Sequence, residues 1–107
     1  MSLGLDENQK KDIREIKDST MKNTIRKRAD LEIARVDLRA MLQRDQVDMK
    51  AVEAKLKEMA SLQTETRLAW IKAVQEIKEK LTPEQRKKFN ELRKEHGNHR
   101  MEHDQGK

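Results

Sequence analysis

The sequence IRKRADLEIARVDLRAML, at residues 25–42, decides the fold because it is apolar on two sides of a helix. At 3.6 residues per turn, its apolar residues form two stripes on roughly opposite sides. One stripe consists of Ile25, Ala29, Ile33, Val36 and Ala40. The other consists of Leu31, Ala34, Leu38, Met41 and Leu42, and Ile13 and Ile16 extend it if the helix is continuous. A helix that is apolar on two sides must bury both, so we expect two neighbours to cover it.

A second long helix follows a polar turn at residues 44–48 and is predicted from about Asp48 to Lys80. Its apolar stripe, with steps of three and four residues, consists of Val52, Leu56, Met59, Gln63, Thr66, Trp70, Val74, Ile77 and Leu81. The short turn forces the two long helices into an antiparallel hairpin. That hairpin covers only one side of the first helix and is too small to build an adequate core alone, so we expect a homodimer.

The remaining boundaries follow from caps and helix breakers. The first helix is predicted from about Asp6 to about Gln43, with or without a bend near residues 19–20. A short third helix is predicted from Pro83 to about His96, and Gly97 is the residue that ends it. The predicted fold class is all-α, a long antiparallel helical hairpin with short flanking helices. We expect residues 1–97 to form a single helical domain and residues 98–107 to form a flexible tail that contains histidines.

Composition excludes several function classes. The chain has 107 residues, 42% of them charged, with a net charge of +5 and no cysteine. It has no tyrosine, and its histidines lie only between residues 96 and 103, so no catalytic constellation can be placed on a rigid scaffold and we predict no enzyme. No apolar stretch is long enough to insert into a membrane. No aromatic platform or reading motif accompanies the positive charge, so we expect no nucleic-acid partner.

Positive charge is concentrated locally at Arg26, Lys27 and Arg28. Together with Met21, whose thioether side chain adapts to irregular surfaces, these residues form a candidate client-binding surface. The alternative interpretation is an ordinary solvated helix face.

One short pattern occurs twice, 76 residues apart, as LDENQ at residues 5–9 and LTPEQ at residues 81–85. Asp6 and Thr82 are good N-cap residues, and Gln9 and Gln85 follow three residues later, where each can complete a capping box. Pro83 falls at the first helical position, which tolerates proline best. Both segments, each opening with leucine at Leu5 or Leu81, are therefore predicted to begin helices.

The two copies also carry a family resemblance, because LTPEQ looks like the LTxxQ motif of the Spy/CpxP family of periplasmic stress proteins. LDENQ resembles the first copy of that motif, with aspartate in place of threonine. The family includes ZraP-like zinc-resistance-associated proteins and CnrX-like heavy-metal sensors. The resemblance covers roughly residues 3–95 and makes residues 1–97 a Spy/CpxP-like domain.

This resemblance implies an exported, periplasmic protein in stress response or heavy-metal resistance that dimerises as a curved helical bundle. Met1-Ser2-Leu3 resembles the start of a recombinant chain, so we expect that a signal peptide has been removed. Such a protein would bind unfolded or regulatory proteins on a helical cradle. The alternatives are a metal-responsive sensor or regulator that acts on a membrane signalling partner, and a purely structural coiled-coil module.

All three histidines lie near the C-terminus, where His96, His99, His103 and Glu102 could supply ligands for Zn, Ni or Cu. The alternative is a flexible polar tail without a metal-binding role. No cofactor is required for either interpretation. The family's sensors take ligands from their first helices, and the absence of histidine before position 96 argues against a CnrX-like buried site, whereas a ZraP-like tail site remains open.

Overall fold

The computed structural model describes the backbone of residues 3–105 and the side chains of residues 3–95. Helix α1 spans Glu7–Leu42, α2 spans Met49–Glu79 and α3 spans Pro83–Gln105. No strand occurs within the described backbone. Helices α1 and α2 pack along each other as an antiparallel hairpin. The protein is elongated, with extents of 61 × 32 × 17 Å, and the predicted all-α hairpin is confirmed.

The helix starts agree with the predicted caps. The Asp6 carboxylate accepts a hydrogen bond of 2.7 Å from the Gln9 backbone N–H, and the Asp48 carboxylate accepts from the N–H groups of Lys50 and Ala51. These carboxylates satisfy backbone donors that have no partner inside the first turn of a helix. Helix α1 is one uninterrupted helix through residues 19–20.

The hairpin core is thin. The buried hydrophobic side chains are those of Ile13, Ala34, Val52, Ala73, Ile77 and Leu81. Near the middle of the hairpin the buried residue is Thr24, 1% exposed, whose hydroxyl donates to the Met21 carbonyl over 3.1 Å. Because two of the buried apolar residues are alanines and one central position is polar, the two helices bury little apolar area between them.

The two apolar stripes of α1 differ in burial. In the second stripe, Ala34 is buried and Leu31, Leu38 and Met41 are half-buried against α2, although Leu42 is exposed. The first stripe, Ile25, Ala29, Ile33, Val36 and Ala40, is exposed along its whole length. The structure therefore confirms that the hairpin covers only one of the two apolar sides.

Seven of the nine residues of the stripe predicted on α2 are buried or half-buried, and the two exceptions are Leu56 and Gln63. Leu56 is 50% exposed and Gln63 is also exposed, whereas the preceding residue in each case, Lys55 or Leu62, is half-buried. The reason is that the alkyl stem of Lys55 lies against the hairpin while its ammonium group binds Asp37 at 3.5 Å. The charged residue Lys55 is therefore half-buried between the helices, and the apolar residue Leu56 is exposed on the surface.

Helix α3 is longer than predicted. It continues past Gly97 to Gln105, so the predicted helix end at Gly97 is wrong and α3 is not a short flanking helix. A glycine inside a helix costs only about 1 kcal/mol relative to alanine, and the neighbouring residues Arg100, Met101 and Glu102 are good helix formers. Positions 98–105, assigned to the tail, are therefore helical, and residues 106–107 lie outside the described part.

Candidate functional site

The repeated motif forms two complete capping boxes. At the start of α1, Gln9 N–H donates to the Asp6 carboxylate and Asp6 N–H donates back to Gln9 Oε1 over 3.0 Å. At the start of α3, Gln85 N–H donates to the Thr82 hydroxyl over 3.2 Å, and Thr82 N–H donates to Gln85 Oε1 over 2.9 Å. Aspartate and threonine thus perform the same capping role in the two copies.

The two boxes meet each other, and we call the four residues Asp6, Gln9, Thr82 and Gln85 the cap joint. Gln9 Nε2 donates to Gln85 Oε1 and to the Lys80 carbonyl, each over 2.8 Å. Gln85 Nε2 donates to the carbonyl of Gly4 over 3.0 Å. Gly4 has φ +70°, a conformation that side chains disfavour, and it turns the chain ahead of the α1 cap.

An apolar cluster supports the cap joint. Ile13, Ile77 and Leu81 are buried there, and the half-buried side chains packed against them are those of Leu5, Ile16 and Phe89. The leucine that opens each copy of the motif therefore packs in the same cluster. The joint closes the end of the hairpin away from its turn and fixes where α3 begins.

The charged residues of the hairpin are separated between its two broad sides. Lys55 binds both Asp37 and Glu58, so these two carboxylates lie on the same side of the hairpin. Residues separated by whole helical turns share that side. By this spacing the acidic face consists of Asp12, Glu15, Asp30 and Asp37 on α1, and of Glu58, Glu65, Glu76 and Glu79 on α2.

An open depression of about 340 Å³ lies on the acidic face, lined by Asp12, Glu15, Ile16, Glu76, Glu79 and Lys80. This lining confirms that acidic residues from both helices lie together. Within the residues whose side chains are described, no three histidine or acidic side chains are close enough to hold a metal ion. Arg26 and Lys72 share the spacing of the acidic face and partly offset its charge.

The opposite side is basic and partly apolar. Residues two positions apart on a helix point about 200° away from each other, so Arg28 and Arg35 lie opposite Asp30 and Asp37. The basic face consists of Lys10, Arg14, Lys17, Arg28, Arg35 and Arg39 on α1, and of Leu56, Arg67, Ile71 and Lys78 on α2. Glu53 shares this side of α2, and Lys10 and Arg35 are ion-paired with Glu7 and Glu32, so these carboxylates partly offset the positive charge. Leu56 and Ile71 are 50% and 57% exposed, so the cations of α1 share this side of the hairpin with uncovered apolar side chains of α2.

The structure divides the predicted client-binding surface. Met21, 51% exposed, and Arg28 lie seven residues apart on the basic side. Arg26 is exposed on the acidic side. Lys27 lies between the helices, where its ammonium group is 3.8 Å from the Glu65 carboxylate. Met21 and Arg28 are therefore brought together, and the other two residues are not.

The predicted metal ligands lie near the end of α3. The backbone of α3 includes positions 96, 99, 102 and 103, and the side chains of His96, His99, Glu102 and His103 lie outside the described residues. Because the helix continues, positions 96, 99 and 103 are separated by three and four residues along it. Such spacing places three helix positions on one side of the backbone.

Composition and local charge alone indicate one basic run at residues 26–28 and do not predict the charge separation. The spacing of the α1 cations could have predicted this charge separation, because these cations recur in steps of three, four, seven and eleven residues. These steps are close to whole helical turns. The sequence did not reveal which of the two apolar stripes of α1 is covered by α2, and that choice decides which side of the hairpin each row of charges occupies.

Fold and site together define an elongated all-α protein, a two-helix hairpin closed by a repeated capping motif. The chain belongs to the heavy-metal resistance family, whose sequence model matches residues 1–88. That family contains Spy/CpxP/ZraP-like proteins, so the predicted resemblance to the Spy/CpxP family is confirmed. A search of curated proteins and a search of solved structures each found no match. None of the helices, within the residues described, is long and apolar enough to cross a membrane.

Proposed function

We propose that this heavy-metal resistance protein is a non-enzymatic, exported accessory protein that holds unfolded or regulatory proteins on its basic face. The observation that carries the proposal is that the α1 cations and the exposed Leu56 and Ile71 of α2 lie on the same side of the hairpin. An unfolded polypeptide presents apolar segments and carboxylates together, and this surface complements both. Family membership supports the link to metal stress and to export.

The basic face suits reversible holding. Exposed cations attract an acidic segment over a distance set by the Debye length, about 10 Å at 0.1 M salt. The apolar contribution is modest, because Leu56 and Ile71 are separated by polar residues. Such a combination favours fast association and easy release, and neither step requires a bound nucleotide or cofactor.

Suppression of client aggregation tests the proposal with a matched pair of variants. Arg67→Glu reverses a charge on the basic face, and Lys72→Glu makes the same change on the acidic side of the same helix. Both residues are exposed. We expect Arg67→Glu to weaken the protection of an unfolded acidic client at low salt, and Lys72→Glu to leave it intact or improve it. Protection that is insensitive to salt and to both substitutions would contradict the proposal.

A metal-responsive regulator is the second candidate, and the extension of α3 favours it. Positions 96, 99 and 103 share one side of a helix instead of following a glycine break, so less chain would have to be ordered around a Zn, Ni or Cu ion. Calorimetry with each metal on the full chain and on a His99→Ala/His103→Ala variant tests this candidate. Equal heats of metal binding for the two chains, or no heat for either, would contradict this metal-responsive candidate.

The third candidate, a purely structural coiled-coil module, predicts neither client nor metal binding. Export is tested separately by fractionating cells that express the complete gene product. Recovery in the periplasmic fraction is expected, and recovery only with cytoplasmic proteins would contradict that part of the proposal. A membrane sensor as regulatory partner is tested by co-purification from those cells.

A further inference from the structure

The exposed side chains of Met21 and Ile71 lie at the same level of the hairpin, on its basic side. The register of the two helices follows from the ion pairs that join them, Asp37 with Lys55 and Lys27 with Glu65. Moving six residues from the second pair, toward the start of α1 and the end of α2, brings Met21 level with Ile71. These side chains are 51% and 57% exposed, so both helices contribute to one uncovered apolar pair.

Four cations surround this apolar pair, Lys17 and Arg28 on α1 and Arg67 and Lys78 on α2. In each helix, one cation lies four residues before the apolar residue and the other lies seven residues after it. Offsets of four and seven residues are close to one and two helical turns, so the cations share the side of the apolar pair. We call Met21, Ile71 and these four cations the central patch, which is about 16 Å long.

The central patch carries positive charge without a carboxylate among its members. Its two segments, residues 17–28 and 67–78, contain the acidic residues Asp18 and Glu76. Asp18 lies on the side of α1 that carries the exposed first stripe, and Glu76 lines the depression on the acidic face. Glu32 lies one turn beyond the patch and is ion-paired with Arg35. The positive charge of the basic face is therefore least offset around its exposed apolar pair.

This combination of charge and shape fits the surface of an anionic lipid bilayer. Two helices lying side by side present their cations in one plane, as a bilayer presents its phosphates. Met21 and Ile71 can reach the boundary between headgroups and acyl chains, where interfacial helices bury their apolar sides. Two apolar side chains are too little area for a stable protein interface, which buries about 800 Å² on each partner. The acidic residues of the opposite face are repelled by the bilayer, so the orientation is fixed.

We propose that the basic face docks this chain on an anionic lipid bilayer, with the cations of the central patch at the phosphates and Met21 and Ile71 among the headgroups. Helices α1 and α2 then lie parallel to the bilayer, on its surface. This inference goes beyond the proposed function and does not rest on it. Since the same face is proposed for clients, a bilayer and a client compete for it.

Co-sedimentation with lipid vesicles tests the proposal in the absence of any client. The probes are vesicles of phosphatidylcholine with a third phosphatidylglycerol, and vesicles of phosphatidylcholine alone. At low salt we expect binding to the first kind and none to the second. Arg67→Glu should weaken binding about 25-fold, because each cation near an anionic surface strengthens binding about fivefold and a charge reversal counts twice. Lys72→Glu makes the same change in net charge on the acidic side of α2 and should have a much smaller effect.

A fluorescent label tests which side of the hairpin meets the bilayer. The chain has no cysteine, so Ile71→Cys and Glu76→Cys each provide a single labelling site, on the basic and the acidic side of α2. With an environment-sensitive fluorophore, the label at position 71 should shift to shorter wavelength when anionic vesicles are added. The label at position 76 should not shift.

Several results would overturn the proposal. They are no binding to the anionic vesicles, equal binding to both kinds of vesicle, and equal weakening by Arg67→Glu and Lys72→Glu. Equal wavelength shifts at positions 71 and 76 would overturn it as well, because the chain would then have no preferred side on the bilayer. The client aggregation assay contains no lipid, so the proposed function holds or fails independently of these results.

Discussion

The side-chain amide of Gln9 donates to the amide oxygen of Gln85 over 2.8 Å, although the two residues are 76 positions apart. Each glutamine also completes the capping box of its own helix. The same side chain therefore serves a local role, starting a helix, and a long-range role, joining two helix starts. This double role explains why glutamine occupies the same position in both copies of the motif.

Replacing Gln85 with leucine should destabilise the protein. The substitution keeps most of the volume but removes the donor to Gly4 and the acceptor for Gln9 and Thr82. Partners left unsatisfied at a partly buried site cost about 1–3 kcal/mol. The measurement is the free energy of unfolding in urea. Gln75→Leu, on the exposed surface of α2, is the control, and an equal loss in both variants would contradict the role of the cap joint.

Asp6 should tolerate threonine but not alanine. Asp6→Ala removes the acceptor for Gln9 N–H, and the loss of an N-cap typically costs about 0.5–2 kcal/mol. Asp6→Thr recreates the residue found at position 82 and should retain most of the stability. Thermal unfolding followed by circular dichroism compares the two. Equal melting temperatures for Asp6→Ala and Asp6→Thr would count against the cap.

Truncating Ile77 should be costly because its side chain is 6% exposed within the cluster below the cap joint. Ile77→Ala should lower the free energy of unfolding by about 2–5 kcal/mol, since the removed methyl groups leave a cavity. Ile71→Ala is the matched control on the same helix, where the isoleucine is 57% exposed. Its effect should stay within about 0.5 kcal/mol. A larger loss of unfolding free energy for Ile71→Ala than for Ile77→Ala would contradict the assignment of Ile77 to the core.

Substituting Gly97 distinguishes a continuing helix from a helix end. Inside a helix, Gly97→Ala should increase the helicity of residues 96–105 and stabilise that segment by about 0.5–1 kcal/mol. At a left-handed C′ position the same change would be unfavourable. Backbone carbon chemical shifts report the helicity residue by residue. Loss of helical shifts after Gly97→Ala would restore the helix end expected from the sequence.

The sequence was informative where the pattern was local. Asp6, Asp48 and Pro83 mark the observed helix starts because capping depends on residues only a few positions away. The two stripes of α1 were likewise predictable from spacing alone. Both features follow from the geometry of a single helix and need no knowledge of the neighbour.

The predictions that failed depend on the neighbour or on small energies. Lys55 lies further in than Leu56 because Asp37, on the other helix, binds its ammonium group, and no rule based on hydrophobicity predicts that exchange. The position of α2 on one of the two α1 stripes likewise decides that Arg26 and Arg28 belong to different faces. Gly97 fails as a helix end because its cost of about 1 kcal/mol is small compared with the preference of its neighbours for helix.

The central claim is that clients bind to the basic face and not to the acidic one. An amide NMR titration of the isotope-labelled chain with an unfolded, acidic client at low salt tests it most directly. We predict shifts concentrated around Arg14, Arg28 and Arg67, next to Leu56 and Ile71, that disappear at high salt. Shifts concentrated around the acidic residues Glu15, Asp30 and Glu76, or binding without shifts on the basic face, would contradict the account.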